Sequence, residues 1–280
     1  MQLTGFTRLK IVYQFMENAV IIPFYKPTLT TTEIISLEQC FKILHRHPII
    51  AVVPHSLDMS FTDGYVFNDV IRFDDSYFKD IYAYNRLMFA TDFYKAFLPF
   101  EFILIYQLDA FVFEDALDYW CSQEYDYIGA PWLDEDILEQ GVVAKTKMLL
   151  KRYFYTRFNV MRNGFPSRHQ FRNITGNGGF SLRRVAKFYN LTISCKNEMQ
   201  QYLDYHHPAY NEDRFWSVDV NRKKHNLLIP GYRTALKFAI ETCPESAYVL
   251  NNHVLPFGCH AWDEYQDFWQ PFFKEQGYEI

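Results

Sequence analysis

The chain has 280 residues, 49% hydrophobic and 19% aromatic, so it can bury one large core or two small ones. Its net charge of −5, with no basic stripe that stands out, disfavours nucleic acid as a partner. Five scattered cysteines without a CxxC pair indicate neither a zinc ribbon nor a disulfide framework, and favour a reducing compartment.

The first half of the chain alternates short apolar runs with segments of helical periodicity. The predicted strands are residues 19–25, 49–53, 70–73, 101–113 and 125–132. The predicted helices are residues 30–47, which Thr30, Thr31 or Thr32 can cap, 80–98 and 114–123. This alternation predicts an α/β fold with a largely parallel sheet that helices cover on both faces.

The rest of the chain is harder to assign. Residues 134–172 are polar and basic in patches, and we interpret them as a mobile insertion. No repeat or linker is visible, so we expect a single domain over residues 1–280. The aromatic tail, residues 263–280, is expected to pack on that domain; contact with a partner or a membrane surface is the alternative.

Asp109 follows the apolar residues of the longest predicted strand. Ligands of such sheets bind beyond the carboxyl ends of the strands, and a carboxylate buried there needs a partner. Asp109 therefore either binds a ribose hydroxyl or a metal held by a diphosphate, or only caps a loop.

The sequence Gly176-Asn177-Gly178-Gly179 is a second candidate. Its glycines permit positive φ and a close approach of the backbone to a ligand, and we expect the turn to open a helix whose N-terminus favours anions. An ordinary turn between a strand and a helix explains the pattern equally well.

Two further features contain groups suited to catalysis. Glu212 and Asp213 lie in an aromatic segment, where they either include a general base or favour a helix N-terminus capped by Asn211. His260 lies between a Gly-Cys turn and Trp262, and is either structural or a ligand.

These features occur in the order that GT-A glycosyltransferases show: an acidic motif after a central strand, a glycine-rich loop, an x-Glu-Asp motif and a late histidine. The chain resembles a poorly characterised bacterial family of this kind over roughly residues 17–262. The strings that carry the resemblance are IYQLDAFVF, YDYIGAPW, GNGGFSLR, NEDRFW and PFGCHAW.

The resemblance implies a GT-A fold with a mixed central sheet flanked by helices, and transfer of a sugar from a nucleotide-sugar to a hydroxyl with inversion. Asp213, assisted by Glu212, would activate the acceptor. The donor would be bound by Pro23, Tyr25, Lys26, Arg86, Gln107, Asp109, Gly178 and Gly179.

The acidic motif departs from the usual Asp-x-Asp. Gln107 replaces the first acid if Asp109 is the second, and Phe111 replaces the second if Asp109 is the first. The former register keeps a ligand for Mn²⁺ or Mg²⁺, which His260 would complement. Without a metal, Arg86 or Lys26 would have to offset the charge of the leaving diphosphate.

The resemblance also implies a cellular context: synthesis of a bacterial surface polysaccharide on a saccharide or glycolipid acceptor. The start of the chain lacks a signal-peptide pattern and no run reaches about 18 apolar residues. We therefore expect a cytoplasmic protein, with association at the inner face of the membrane left open. The oligomeric state cannot be inferred. Alternatives are a nucleotidyltransferase that makes nucleotide-sugars and a catalytically inactive nucleotide-sugar-binding module.

Overall fold

The computed structural model describes residues 16–134, 137–138 and 141–280, with side chains described from residue 18. The strands in these ranges are β1 (Met16–Pro23), β2 (Ile49–Pro54), β3 (Asp69–Phe73), β4 (Phe100–Tyr106), β5 (Phe111–Val112), β6 (Tyr127–Gly129), β7 (Pro131–Trp132), β8 (Met161–Arg162), β9 (Phe165–Pro166), β10 (Ile174–Thr175), β11 (Phe180–Arg184), β12 (Ala239–Ile240) and β13 (Gly258–Cys259). The helices are α1 (Thr31–Leu44), α2 (Ile81–Phe89), α3 (Thr91–Ala96), α4 (Leu117–Ser122), α5 (Val142–Arg157), α6 (Val185–Ser194), α7 (Lys196–Leu203), α8 (Glu212–Arg214), α9 (Val220–Arg222), α10 (Tyr232–Phe238), α11 (Pro244–Leu250) and α12 (Gln266–Glu275).

The central sheet has the strand order β3–β2–β1–β4–β11–β6. The first four strands are parallel, and β11 runs antiparallel to both of its neighbours. Val20 and Ile22 of β1 pack in one core, whereas Ala19 and Ile21 pack in another, because successive side chains point to opposite faces. Helix α1 covers the first face, and α2, α3 and α6 cover the second. This confirms the predicted mixed sheet flanked by helices.

The start of α1 confirms the predicted threonine cap. The Glu33 amide donates to Thr30 Oγ1 over 3.2 Å, and the Thr30 amide donates to Glu33 Oε2 over 2.8 Å. This reciprocal capping box satisfies two amides that the first turn leaves without partners inside the helix.

The single strand predicted over residues 101–113 is wrong in extent. Strand β4 ends at Tyr106, and a turn closed by the Ala110 amide on the Gln107 carbonyl leads into β5, which belongs to a separate three-stranded sheet. The apolar run continues through the break because both strands are buried. Asp109 therefore lies in a turn between two sheets.

The expectation that the glycine-rich turn opens a helix is also wrong. The turn leads into β11, and α6 begins only at Val185. Phe180 and Leu182 point into one core while Ser181 and Arg183 point to the opposite face, so these residues pair along β4 as a strand. The predicted helix over residues 80–98 is likewise two helices, α2 and α3, which meet at Ala90.

The aromatic tail forms α12, with Trp269 and Phe273 fully buried. The Phe273 ring stacks on Phe111, with 3.8 Å between centroids, and contacts Trp262 at 4.8 Å. The extent of the domain over residues 1–280 and the mobility of residues 134–172 stay predictions, and residues 135, 136, 139 and 140 of that segment lie outside the described part. Within the described part, no helix combines the length and apolar character needed to span a bilayer.

We predict that Phe273→Ala lowers the free energy of unfolding by about 3–5 kcal/mol, because it removes a buried ring that packs against two others. Denaturant unfolding followed by tryptophan fluorescence measures the change. Phe158→Ala is the matched control, since its ring is 65% exposed. A loss in Phe273→Ala no larger than in this control would contradict the packing role of α12.

Candidate functional site

A cavity of about 580 Å³ opens at the carboxyl ends of β1 and β4. Five of the predicted donor-binding residues line it: Pro23, Tyr25, Lys26, Gln107 and Asp109. They come together because parallel strands end at the same edge of the sheet. Other lining residues include Thr30, Glu33, Lys79, Asp80, Tyr84 and Asp263.

The part of the cavity beside β1 contains a lysine that forms an ion pair and a tyrosine with an exposed ring. Lys26 Nζ lies 2.8 Å from Glu33 Oε2, the same oxygen that closes the capping box of α1. The pKa of Lys26 is raised, chiefly by this hydrogen bond. The Tyr25 side chain is 60% exposed, which leaves its ring free to contact a ligand.

The glycine-rich loop reaches the same edge from the other direction. Because β11 is antiparallel to β4, its first residue, Phe180, pairs with the last residue of β4, Tyr106. The loop is fastened there by the Gln107 amide, which donates to the Gly179 carbonyl over 2.8 Å.

At two of these positions, Gly178 and Gly179, any side chain would clash with a neighbouring residue. A Cβ on Gly179 would lie well inside van der Waals distance of His260 Nε2 and 2.5 Å from Gln107 Oε1. A Cβ on Gly178 would clash in the same way with Glu212 Oε1. The positive φ in the loop, 69°, belongs to Asn177. Of the two roles expected from the sequence, close approach explains Gly178 and Gly179, although the groups that approach them are side chains of the protein, and positive φ does not.

The small sheet of β12, β13 and β5 positions His260. Asp109 precedes β5, Glu241 follows β12 and His260 follows β13, and the strand directions bring all three to one edge. His260 Nε2 lies 3.1 Å from Asp109 Oδ1 and 3.3 Å from Gln107 Oε1. On the other side of the ring, Nδ1 lies 3.2 Å from Glu241 Oε1 and 2.8 Å from Asn177 Nδ2.

The two acids hold His260 in its charged form. Burial alone would lower its pKa, but the charge of Asp109, 3.1 Å from Nε2, and the hydrogen bond and charge of Glu241 raise the pKa to about 10. Burial acts to raise the pKa of Asp109, yet the opposite charge of His260 outweighs it and the pKa falls below its usual value. The pair is therefore an imidazolium and a carboxylate at neutral pH.

Glu212 is an anchor within the core. Its side chain is 4% exposed, and Oε1 lies 2.9 Å from Nη2 of Arg183, which has no exposed side-chain surface. Arg183 also donates to Tyr94 Oη over 2.8 Å and to the Gly178 carbonyl over 3.4 Å. The ion pair therefore joins α8, the glycine-rich loop and β11.

Asp213 is the neighbouring acid and has a different environment. Its Oδ1 is buried and has no hydrogen-bond partner among the described residues. Burial, followed by the charge of Glu212 and with a further contribution from Glu241, raises its pKa to about 7. Glu241 thus interacts with both Asp213 and His260, so the x-Glu-Asp motif and the late histidine belong to one cluster.

Arg86 lies apart from the large cavity. It lines an adjacent cavity of about 230 Å³, and its Nη2 donates to the Ser76 carbonyl over 2.8 Å. Lys79 and Asp80 line both cavities.

Two residues of this cluster escaped the sequence analysis, Arg183 and Glu241, and Asn177 was named only as part of the glycine-rich loop. Glu241 follows the apolar run of β12 as Asp109 follows that of β4, so an acid after a short apolar segment was the available signal. Arg183 lies on the face of β11 opposite to Phe180 and Leu182, and alternation alone gives no signal that this face is buried as well. Nothing in the sequence distinguishes the role of Asn177 from that of its glycine neighbours.

Asp109 and His260 are the groups that could hold a divalent cation. Asp109 Oδ1 is buried, and its 3.1 Å approach to His260 does not satisfy hydrogen-bond geometry, which leaves this oxygen without a hydrogen-bond partner among the described residues. A carboxylate oxygen and an imidazole nitrogen suit Mn²⁺. No group of three His, Cys, Asp or Glu in the described part is arranged as a metal site, so ligand oxygens or water would have to complete the coordination.

A family model described as "Protein of unknown function (DUF5672)" matches residues 68–260. The chain belongs to the DUF5672 family. The match includes Asp109, the glycine-rich loop, Asp213, Glu241 and His260. A comparison of this DUF5672 chain with curated proteins finds no match.

Solved structures show which fold this DUF5672 member has. The galactosyltransferase LgtC, in complex with donor and acceptor sugar analogs, matches with a TM-score of 0.51 and 11% identity, over 87% of this chain and 86% of that one. Mouse xyloside xylosyltransferase 1 in its apo form matches with a TM-score of 0.49 and 11% identity, over 88% and 97%. The mannosyltransferase Ktr4p from S. cerevisiae in complex with GDP matches with 0.40 and 9%, over 81% and 69%. The likeness to LgtC, with the mixed sheet, confirms the predicted GT-A fold.

We predict that Gly179→Ala displaces His260 from Asp109, because the added methyl group competes with the ring for the same space. The pKa of His260, measured by NMR titration of its ring protons, should then fall from about 10 toward the ordinary value near 6.5. Gly64→Ala is the control, since a Cβ there meets nothing within 4 Å. An unchanged His260 titration in Gly179→Ala would show that the loop does not position the histidine.

Proposed function

We propose that this DUF5672 chain is a glycosyltransferase that moves a sugar from a nucleotide-sugar to a hydroxyl of a saccharide or glycolipid acceptor, with inversion. The observation that carries the proposal is the convergence of two groups of residues at one edge of the sheet. One group lines a cavity of about 580 Å³, a volume suited to a nucleotide-sized ligand. The other is the cluster of His260, Asp109 and Glu241 beside it. LgtC, which has the same fold, was solved with donor and acceptor sugar analogs.

The donor would lie along the cavity. In this proposal the base and ribose contact Pro23, Tyr25 and Lys26 after β1, while the diphosphate lies toward Gln107 and Asp109 after β4. Gly178 and Gly179 would act indirectly, because their lack of a side chain lets Glu212 and His260 pack against the loop beside the proposed sugar position. Arg86 donates to a backbone carbonyl beside the adjacent cavity, which makes it the least supported of the proposed donor contacts.

Asp213 would be the base. A carboxylate with a pKa of about 7 is half ionised near neutrality and is basic enough to accept a proton from a hydroxyl in the transition state. Its Oδ1 is buried and has no hydrogen-bond partner among the described residues, and in this proposal the acceptor hydroxyl would supply that partner. Glu212, which is committed to Arg183, holds the helix that carries the base.

The charge of the leaving diphosphate must also be offset. A bound Mn²⁺ or Mg²⁺ held by Asp109 and His260 would supply this electrostatic stabilisation. His260 itself carries a positive charge when no metal is bound, because its pKa is about 10. Gln107 would orient the imidazole through its Oε1, 3.3 Å from Nε2.

The cellular part of the proposal comes from the resemblance. We propose that the chain is one domain over residues 1–280, that it acts in the cytoplasm or at the inner face of the membrane, and that its product enters a bacterial surface polysaccharide.

The first test incubates the protein with a panel of nucleotide-sugars and measures free nucleoside diphosphate, with and without saccharide acceptors. We expect acceptor-dependent release from one donor, and loss of that release with Asp109→Asn. Lys223→Glu, an exposed change remote from the cavity, is the control. Excess chelator should abolish release if a metal is bound.

Each other outcome assigns a different function. Binding of a nucleotide-sugar without turnover under any condition would indicate an inactive binding module. Pyrophosphate formation from a nucleoside triphosphate and a sugar phosphate would indicate a nucleotidyltransferase. Full activity in the presence of excess chelator would show that no metal is needed. His260 would then contact the diphosphate directly.

We predict that Asp213→Asn reduces kcat by about 10²–10⁴-fold, because the amide keeps the size of the side chain and removes its basicity. In the unchanged protein, kcat should rise with pH through about 7 and level off above it, since only the ionised carboxylate accepts a proton. The residual rate of the variant should lose this dependence. Donor affinity, measured by calorimetry, should change little.

The exposed acid Asp63, changed to Asn, is the control for loss of one carboxylate. Loss of donor binding in Asp213→Asn would show that Asp213 binds the sugar donor and is not the base. Retention of the anomeric configuration in the product would reject a single displacement, and with it the assignment of a base.

A further inference from the structure

The segment of residues 142–172 carries a charge opposite to that of the chain. It contains eight Lys and Arg and no Asp or Glu, whereas the whole chain has 33 Asp and Glu against 28 Lys and Arg. These residues are the basic patches of the polar segment 134–172. Half of this segment is α5, which begins the run.

Helix α5 contributes nothing to the three apolar cores. None of its sixteen residues is buried in the described structure. Its inner side is held by polar contacts, in which Arg152 Nη1 donates to the carbonyls of Arg172 and Asn173 over 3.1 and 2.7 Å. A helix fixed along one side in this way presents its other side as a stable surface.

The outer side of α5 combines exposed apolar and cationic side chains at helical spacing. We call it the α5 surface, and it consists of Val143, Lys147, Leu150, Lys151, Phe154 and Arg157. The exposed fractions of its apolar members are 68% for Val143, 66% for Leu150 and 53% for Phe154. Val142, Tyr153 and Phe158 extend the apolar area, with exposures of 81%, 70% and 65%.

We propose that the α5 surface docks the protein on an anionic lipid bilayer. A bilayer can bind both the cationic and the apolar side chains of this surface. Lysine and arginine attract acidic headgroups, while leucine and phenylalanine enter the boundary between headgroups and acyl chains. The positive charge of the segment also lets an acidic chain approach a negatively charged surface in one orientation.

Nucleic acid would use the charge but leave the large apolar side chains in water. A second copy of this chain would bury the apolar residues but bring two cationic segments together. The bilayer is therefore the occupant that accounts for both the charge and the apolar area, and the other two serve as outcomes of the test.

The test is co-sedimentation of the full chain with vesicles, without any sugar substrate, so it is independent of the proposed activity. We expect binding to phosphatidylcholine vesicles that contain roughly a third of phosphatidylglycerol, and little binding to phosphatidylcholine alone. Binding should weaken when salt rises from about 0.1 M to about 0.5 M, because the Debye length shortens.

Two double variants test the two components of the surface. Lys147→Glu/Lys151→Glu and Leu150→Ser/Phe154→Ser should each lower the partition coefficient by about tenfold or more. The matched controls are Lys223→Glu/Lys224→Glu and Val66→Ser/Val254→Ser, which change exposed residues elsewhere and should retain partitioning within about twofold. All changed side chains are exposed, and thermal unfolding checks that the variants fold.

Equal partitioning of wild type and both α5 variants, or no binding to anionic vesicles, would overturn the proposal. Tighter binding to duplex DNA than to anionic vesicles would overturn it in favour of nucleic acid. A dimer in solution that Leu150→Ser/Phe154→Ser dissociates, with no vesicle binding, would identify the surface as a contact between copies of the chain.

Discussion

The buried guanidinium of Arg183 is the constraint on which the rest of the site depends. A charge without exposed surface needs a partner of opposite sign, and Glu212 provides it at 2.9 Å. Removing one member of such a pair costs about 3–5 kcal/mol, because the other is left buried and unpaired. Since Arg183 lies on β11 and Glu212 begins α8, the pair fixes that helix against the central sheet. The next residue, Asp213, owes its position and its unusual pKa to this attachment.

The cluster lies where two sheets meet. Strand β4 of the central sheet ends at Tyr106, and the chain then turns through Asp109 into a smaller sheet whose other strands lead into Glu241 and His260. The antiparallel β11 brings Gly179 to the same place from the far side. Residues separated by more than 150 positions therefore come within hydrogen-bond distance, as the 3.3 Å between Gln107 and His260 illustrates. The shared edge explains why the chemistry-bearing motifs are dispersed along the sequence.

Local signals predicted the local structure. Apolar runs located the parallel strands, and the threonines before α1 located its cap, because both depend on neighbouring residues. The break after β4 was missed because apolar residues stand on both sides of the turn, so Gln107 and Asp109 read as polar positions within one strand. The sequence left two roles open for the glycines, positive φ and a close approach of the backbone, and it could not identify the groups that approach them. Whether Gly179 serves a turn or a close approach depends on His260, which is distant in sequence and arrives only through tertiary packing. The order of motifs predicted a shared site, but the pairing of Glu212 with Arg183 required the fold.

The charges around His260 restrict what can bind there. Asp109, Glu241 and Asp213 each have a buried oxygen without a hydrogen-bond partner among the described residues. Such oxygens are costly to leave unpaired, so a ligand that donates hydrogen bonds or carries positive charge will relieve them. Sugar hydroxyls meet this requirement, whereas a diphosphate alone would face several carboxylates. A diphosphate can therefore approach only along the side where a positive group intervenes. His260 is the positive group of this cluster, because Asp109 and Glu241 keep it protonated. The same acids that disfavour an anion thus maintain the positive charge of His260, so the charge that a ligand meets in this cluster depends on the side from which it approaches.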